Sequence, residues 1–282
     1  MRKNLFISVL VLGIFVALTS GAAKPIRVLY IGDAGVVLGP NIIASPFYYE
    51  QKGYEVHIWC QPLLDELAKE PDIKVEHMTN WRAIAELPET AKDIAAKWDV
   101  IILSDIEQEC LVLYPWARLM DTIMDPNRLY ALREFVQNGG GLMMVGGWQS
   151  FTGRRGIGNW GNTPVEEALP VKCLEANDDR NETPEGVHIE VLKPEHPVVK
   201  GLNWEGCPPF SGYNRIIAKP DAEVIAKVKG FNDPFIVAHK FGKGRSIAFA
   251  SDVSPHWGAG FQKWKNYGKS FAAMLRWLAG NN

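Results

Sequence analysis

Six polar side chains stand at or just beyond the ends of short apolar runs. Asp33 follows residues 26–31 (IRVLYI), Asp105 follows 99–103 (DVIIL) and Ser104, and Gln149 and Ser150 follow 142–145 (LMMV). Asp252 and His256 follow 245–250 (RSIAFA) in the same manner. Three carboxylates and an imidazole gathered in one crevice could move protons as acid and base, or hold a polar ligand by charge-assisted hydrogen bonds. The same carboxylates could take a divalent cation, but no tight H-x-H-like spacing accompanies them and no metal is expected. Ser150 with His256 and Asp252 would supply a nucleophile, a base and a group that orients the base. Each residue also has a plainer role, because Ser and Asp at such places commonly cap turns and helix N-termini.

That chemistry needs a scaffold that brings strand ends together. Residues 26–31, 54–59, 99–103 and 142–145 read as buried strands, the second of them following a helical stretch and a stop at Gly53. Residues 126–138 have helical spacing, with Leu129, Leu132, Phe135 and Val136 on one face, Pro126 at the start and Gly139 at the end. Strands alternating with helices predict an α/β fold with a doubly wound, mostly parallel sheet of the flavodoxin-like kind. In such a sheet ligands sit outside the carboxyl ends of the strands. Gly32-Asp33, Ser104-Asp105 and the run Gly146-Gly147-Trp148-Gln149-Ser150 fall there.

Residues 151–164 (FTGRRGIGNWGNTP) are glycine-rich, basic and aperiodic, and read as a long loop over those ends. Arg154 and Arg155 on it could close over an anionic or hydroxyl-rich ligand. Trp148, Trp160 and Trp257 could stack on a sugar, although tryptophans are more often core. Asp178-Asp179-Arg180 reads as a surface charge cluster. Toward the C-terminus, residues 234–240 and 245–250 flank Phe241-Gly242-Lys243-Gly244 as a β-hairpin, and an amphipathic helix spans 261–278. Gly139-Gly140-Gly141 precedes a strand instead of opening a helix after one, so it is no dinucleotide fingerprint, and no cofactor is expected.

The beginning of the chain carries an address. Arg2 and Lys3 precede an apolar run from Leu5 to Leu18 and then the small residues Thr19-Ser20-Gly21-Ala22-Ala23. A run this short suits a signal peptide better than a membrane span. We therefore expect a leader over 1–23, one α/β domain over 24–282, and a periplasmic or secreted mature protein. The 282 residues are 47% apolar with 30 basic and 32 acidic side chains, which supports a large core and gives no basic patch for nucleic acid. After the leader no apolar stretch reaches membrane-spanning length. Cys60, Cys110, Cys173 and Cys207 permit two disulfides after export, with Cys60 to Cys110 the pairing expected from strand ends; four buried free thiols are the alternative.

The run from Gly139 to Gly153 (GGGLMMVGGWQSFTG) resembles the central motif of the glutamine amidotransferase-like family, related in fold to class I glutamine amidotransferases and to ThuA-like proteins. Leu169-Pro170-Val171, Asp178-Asp179-Arg180 with Glu182, Pro184-Glu185-Gly186-Val187, His196-Pro197, Gly212-Tyr213-Asn214, residues 242–252 (GKGRSIAFASD) and Pro255-His256-Trp257 continue the likeness. Glu107-Gln108-Glu109-Cys110 departs from it. The resemblance implies a class I glutamine amidotransferase-like fold with a ligand site that includes Gly146, Gly147, Gln149, Arg154, Tyr213 and Asn214. It also implies a Cys, His and Glu triad that the residues do not supply. The elbow Val145-Gly146-Gly147-Trp148-Gln149 has no thiol, and Gly258 stands where the acid after His256 belongs. Standard glutaminase chemistry is therefore not expected. Two functions remain: a binder of a small polar, carbohydrate-derived ligand, and a hydrolase or lyase using His256 with Asp252 or Asp105.

Overall fold

The computed structural model describes residues 24–116 and 124–280. The expected leader lies outside the described residues. The strands are β1 (Ile26–Gly32), β2 (Ala34–Ser45), β3 (Tyr48–Ile58), β4 (Ile73–Met78), β5 (Val100–Ser104), β6 (Gly141–Val145) and β7 (Val171–Cys173). They continue with β8 (Arg180–Val187), β9 (Ile189–Val191), β10 (Phe210–Asn214), β11 (Ile216–Ala218), β12 (Glu223–Val228), β13 (Pro234–Phe241) and β14 (Gly244–Phe249). The helices are α1 (Gln61–Leu67), α2 (Asn80–Glu86), α3 (Ala91–Lys97), α4 (Glu109–Val112), α5 (Arg128–Gln137), α6 (Pro164–Ala168), α7 (Pro255–Gly258) and α8 (Tyr267–Leu278).

Eight strands form one sheet in the order β4-β1-β5-β6-β14-β13-β12-β9. The first five are parallel to one another and the last three antiparallel. Within the parallel half the chain order is 2-1-3-4-5, the flavodoxin-like winding, and the fold class expected from the sequence holds. The near-continuous apolar runs of β1, β5 and β6 follow from burial on both faces. On α5 the expected stripe of Leu129, Leu132, Phe135 and Val136 is buried, and the Asn127 side chain accepts from Leu129 N to cap it. Aromatic side chains of β10, β13, β14 and α8 (Phe210, Phe235, Phe249 and Phe271) pack with Phe261 under the antiparallel half.

Two expectations are corrected. Residues 54–59 are not a strand of the sheet, and among the described residues no helix precedes them. β2 and β3 pair only with each other, as an antiparallel ribbon, and the sheet's second strand is β4. The ribbon exposes Leu38 and Phe47 at 79% and 98%, so its apolar residues do not report a core position. The four cysteines are free and buried, and the expected Cys60 to Cys110 disulfide is absent. Cys60 precedes α1 after the ribbon, not after a sheet strand, so the strand-end argument for that pair fails.

Arg128 is 1% exposed at the first position of α5. Its guanidinium donates to the carbonyls of Ala83 (2.8 Å), Ile84 (3.0 Å) and Leu87 (3.3 Å) at the end of α2, and lies 4.0 Å over the Tyr114 ring. A helix C-terminus is where unpaired carbonyls and the negative end of the dipole favour a cation. Arg128→Met should therefore lower unfolding stability by about 2–3 kcal/mol, because several buried carbonyls lose their donors. Denaturant unfolding checks this; a change under about 0.5 kcal/mol would remove Arg128 from the packing argument.

Candidate functional site

The site begins where β1 and β5 end side by side. Gly32 pairs with Ser104, and the next residue of each strand turns out of the sheet: Asp33 at φ 49° and Asp105 at φ 44°. Asx side chains tolerate this left-handed region better than most. Asp33 N donates to Ser104 O at 3.1 Å. Its carboxylate is 1% exposed and accepts from Tyr30 Oη and from Ser254 Oγ (2.8 Å). Asp105 N donates to Ser150 Oγ at 3.0 Å, and Asp105 Oδ1 accepts from Gln149 N at 2.6 Å. The Gln149 amide, turned to donate, reaches Glu107 Oε2 (3.2 Å) and Asp105 O (3.0 Å). Asn80 Nδ2 donates to the same Asp105 carbonyl at 3.3 Å.

β6 delivers the elbow. Gly146 and Gly147 let the chain pass between Asp105 and the end of β14, for a Cβ at Gly147 would stand 2.6 Å from Asp105 Oδ1 and one at Gly146 2.5 Å from Ala250 O. Asn214 braces the turn from behind: its Oδ1 accepts from Gly147 N (2.9 Å), and its Nδ2 donates to Gly147 O (3.1 Å) and Asp179 Oδ1 (2.8 Å). Asp179 in turn accepts from Thr152 N and Gly153 N. Asp178-Asp179-Arg180 is thus only partly a surface cluster, since Asp179 is wholly buried.

Beyond β14, Asp252 Oδ1 accepts from Ser254 N at 2.6 Å, a local turn that starts α7. One turn on, His256 Nε2 stands 2.8 Å from Asp252 Oδ2. The distance is short, but Asp252 Oδ2 has no well-directed hydrogen bond, so we describe the contact as an ion pair. Asp252 is fully buried, whereas the His256 side chain keeps 31% exposure and meets the half-exposed Trp148 edge-on at 5.1 Å.

Burial and crowding then set the charges. Asp105 is pushed up to about 8, by desolvation first and then by the Asp252 and Asp33 carboxylates, with Gln149 N and His256 opposing. Asp33 rises to about 6, by desolvation and by Asp252, against the hydroxyls of Ser104, Tyr30 and Ser254. For His256 burial works downward, but the close Asp252 carboxylate, with Asp105 and Asp33, prevails and raises it. The cluster therefore favours a protonated Asp105 near neutral pH, and holds a proton on His256 more firmly than an exposed imidazole would.

Asp33, Asp105, Gly147, Gln149, Ser150, Asp252 and His256 lie at this one edge, with Gly146 and Asn214 behind them. Ser150 is 1% exposed and its oxygen is bonded to Asp105 N, with no hydrogen bond to His256. Tyr213 is turned away: its hydroxyl bonds Asp233 Oδ2 (2.6 Å) and Asn181 Nδ2 (2.7 Å). Trp160 and Trp257 are core, leaving Trp148 exposed. The sequence reading missed Tyr30, Ser254, Asn80 and the buried role of Asp179. The Asp-x-Ser step at Asp252 and Ser254 is the one local signal that could have found a member. Among the described residues no group of three or more His, Cys, Asp or Glu is arranged to hold a metal ion. Hollows of about 500 Å³ around Lys24, Asp99 and Gly139, and about 970 Å³ around His188 and Trp204, include none of these residues; chemistry, not volume, marks the site.

A family model described as "Putative glutamine amidotransferase" and labelled GATase1-like matches residues 49–280. The chain belongs to the GATase1-like family. This GATase1-like chain is 34% identical to the cytoplasmic protein STM3548 from Salmonella typhimurium, with a TM-score of 0.80 over 89% of this chain and 98% of that one. It is 32% identical to the cytoplasmic protein STM1381 from Salmonella typhimurium LT2, with a TM-score of 0.79 over 90% and 99%. A ThuA-like protein from Parabacteroides merdae shares the fold at 11% identity and a TM-score of 0.51, over 91% and 90%. Among curated proteins none matches.

Set against its family's name, this GATase1-like chain has no thiol near the elbow in a reactive state. Burial pushes the thiols of Cys110 and Cys207 up to about 12, with Glu107 adding to the effect at Cys110, and raises Cys60 and Cys173 further. A nucleophilic cysteine needs the opposite surroundings, polar and electropositive.

Proposed function

We propose that this GATase1-like protein binds a small polar, carbohydrate-derived ligand at the carboxyl edge of its sheet and does not hydrolyse glutamine. The observation that carries the reading is the half-exposed His256, 2.8 Å from the buried Asp252 carboxylate and edge-on to Trp148, with Asp105 close by. An imidazole beside an exposed indole suits hydroxyls and a sugar's apolar face. Export by the leader over residues 1–23 is part of the proposal; the Salmonella relatives are titled cytoplasmic, and intact mass of the protein from its native envelope decides for this chain.

A second reading has its own support. Burial and its neighbours raise Asp105 to about 8 and raise His256 above its ordinary value, and carboxyl and imidazole groups so tuned are suited to give and take protons. In that case the ligand is the substrate of a hydrolase or lyase that uses His256 with Asp252 or Asp105 as acid and base.

A thermal-shift panel of sugars, sugar acids and amino acids, run on wild type and His256→Gln, tests the first reading. A ligand at a hundredfold excess over its Kd stabilises by about 2.7 kcal/mol, and the variant should lose that shift. Equal shifts in both proteins place the ligand elsewhere. Glutamine should release no ammonia above background in the same preparation; turnover abolished by a thiol-alkylating reagent would overturn the inactive-elbow part.

A further inference from the structure

The loop after the elbow carries a cation that the fold positions and that has no ion pair among the described residues. Arg154 N donates to Trp148 O at 2.6 Å, and Gly153, at φ 73°, leaves no room for a Cβ, which would stand 2.6 Å from the same oxygen. Thr152 N and Gly153 N are tied to the buried Asp179 carboxylate (2.9 and 3.1 Å), Gly158 N to Thr152 O, and Gln108 N to Gly158 O. The backbone under Arg154 is therefore pinned at both ends. Its guanidinium lies 4.9 Å from the Trp148 ring.

The neighbouring arginine gives the contrast. Arg180 also faces Trp148, at 5.8 Å, but is neutralised by Asp178 (2.9 Å) and Glu182 (2.6 Å). Arg154 makes no ion pair among the described residues. His256 lies edge-on to Trp148 at 5.1 Å, so the two basic side chains lie within about 10 Å of each other beside one exposed indole. His256 has the Asp252 carboxylate beside it, and Arg154 has no carboxylate partner among the described residues. The planar guanidinium fork matches a carboxylate in a way a point charge does not.

We infer that Arg154 and Trp148 form the anion-recognising lip of the site, and that its ligand is a small hydroxy carboxylate such as a sugar acid. The carboxylate pairs with the Arg154 guanidinium, and the hydroxylated chain crosses Trp148 toward His256. This rests on the small-ligand reading above, and the experiment separates the two. Calorimetric titration with glucuronate, galacturonate, glycerate, glucose and galactose is run on wild type, Arg154→Gln, Arg154→Lys and His256→Gln. An acid of the set should bind wild type at least tenfold more tightly than the neutral sugars. Arg154→Gln should weaken it about tenfold or more, with an unchanged melting temperature because the side chain is exposed, and Arg154→Lys should fall between. Neutral sugars binding as tightly as the acids, or Arg154→Gln binding like wild type, overturns the lip while leaving a site at His256. Binding of none of the five probes, or full binding by His256→Gln, overturns both readings.

Discussion

Replacing Gly32 with alanine is expected to lower the melting temperature by roughly 8–16 °C. Gly32 is at φ 111°, a region that favours glycine, and its Cβ would stand 1.8 Å from Ser104 O and 3.2 Å from Ile106 Cβ. The obstacle is backbone in the middle of the parallel pairing, where Gly32 is in register with Ser104 and Asp33 N donates to Ser104 O. Relief requires β1 and β5 to part at the point where both site aspartates leave the sheet. The left-handed cost alone is about 1–2 kcal/mol, and overpacking adds about 1–3. A loss on the order of 4 kcal/mol would lower the melting temperature by roughly 8–16 °C in a domain of this size. Gly201→Ala is the control, because Gly201 has φ 76° but nothing within 4 Å of its Cβ. It should cost only about 1 kcal/mol. Equal losses in the two variants would show that the close strand approach contributes nothing.

The same register explains why much of the site was legible in the sequence. Parallel strands share a carboxyl edge, so the polar residues after β1, β5, β6 and β14 had to converge once those apolar runs were recognised. Neighbours along one strand are another matter. Tyr213 and Asn214 were expected together, but successive side chains of a strand point to opposite faces. Asn214 reaches Gly147, and Tyr213 reaches Asp233. The β2–β3 ribbon was illegible for a different reason. Its apolar residues, Val36, Val37, Leu38, Ile42 and Ile43, lie on both faces and stay exposed, so neither period marks them. β4 alternates weakly and lies at the sheet's edge, with β1 as its one partner in the sheet, so it offered no buried run to find. Asp179 looked like surface charge because two of its partners, the amides of Thr152 and Gly153, are backbone groups that no residue type announces, and the third, Asn214, is 35 residues away.

Stability should fall as pH rises from about 5 to 9, and Asp105→Asn should remove much of that fall. Asp105 is raised from 3.8 to about 8 and Asp33 to about 6, with desolvation the largest cause for each. A group whose folded pKa lies above its unfolded value stabilises fully below the unfolded pKa, and that contribution is lost as pH climbs through the folded one. His256 is also raised, so it acts in the same direction. The lowered carboxylates of Asp72, Asp99 and Asp178 act oppositely, but their contributions are lost only as pH falls below about 4. Asp179, raised to about 6, adds to the fall, while His77, His196 and His239, lowered from 6.5 by burial, oppose it, so the difference between wild type and Asp105→Asn is what isolates the Asp105 part of the slope. Asparagine resembles the protonated aspartate in shape, keeps an Oδ1 for Gln149 N, and cannot ionise. Relative to wild type the variant should gain on the order of 4 kcal/mol between pH 5 and pH 9, since about three pKa units separate pH 5 from a folded value of about 8 and each is worth about 1.4. His256 reports the state of Asp105 independently, because an Asp105 carboxylate raises the imidazole and its removal would bring His256 down, whereas a protonated Asp105 leaves it unmoved. Unfolding by denaturant at pH 5, 7 and 9, with an NMR titration of His256, reads both effects. Parallel stability profiles for the two proteins would mean that Asp105 is already ionised in the fold, and that the site presents no carboxylic acid to a ligand.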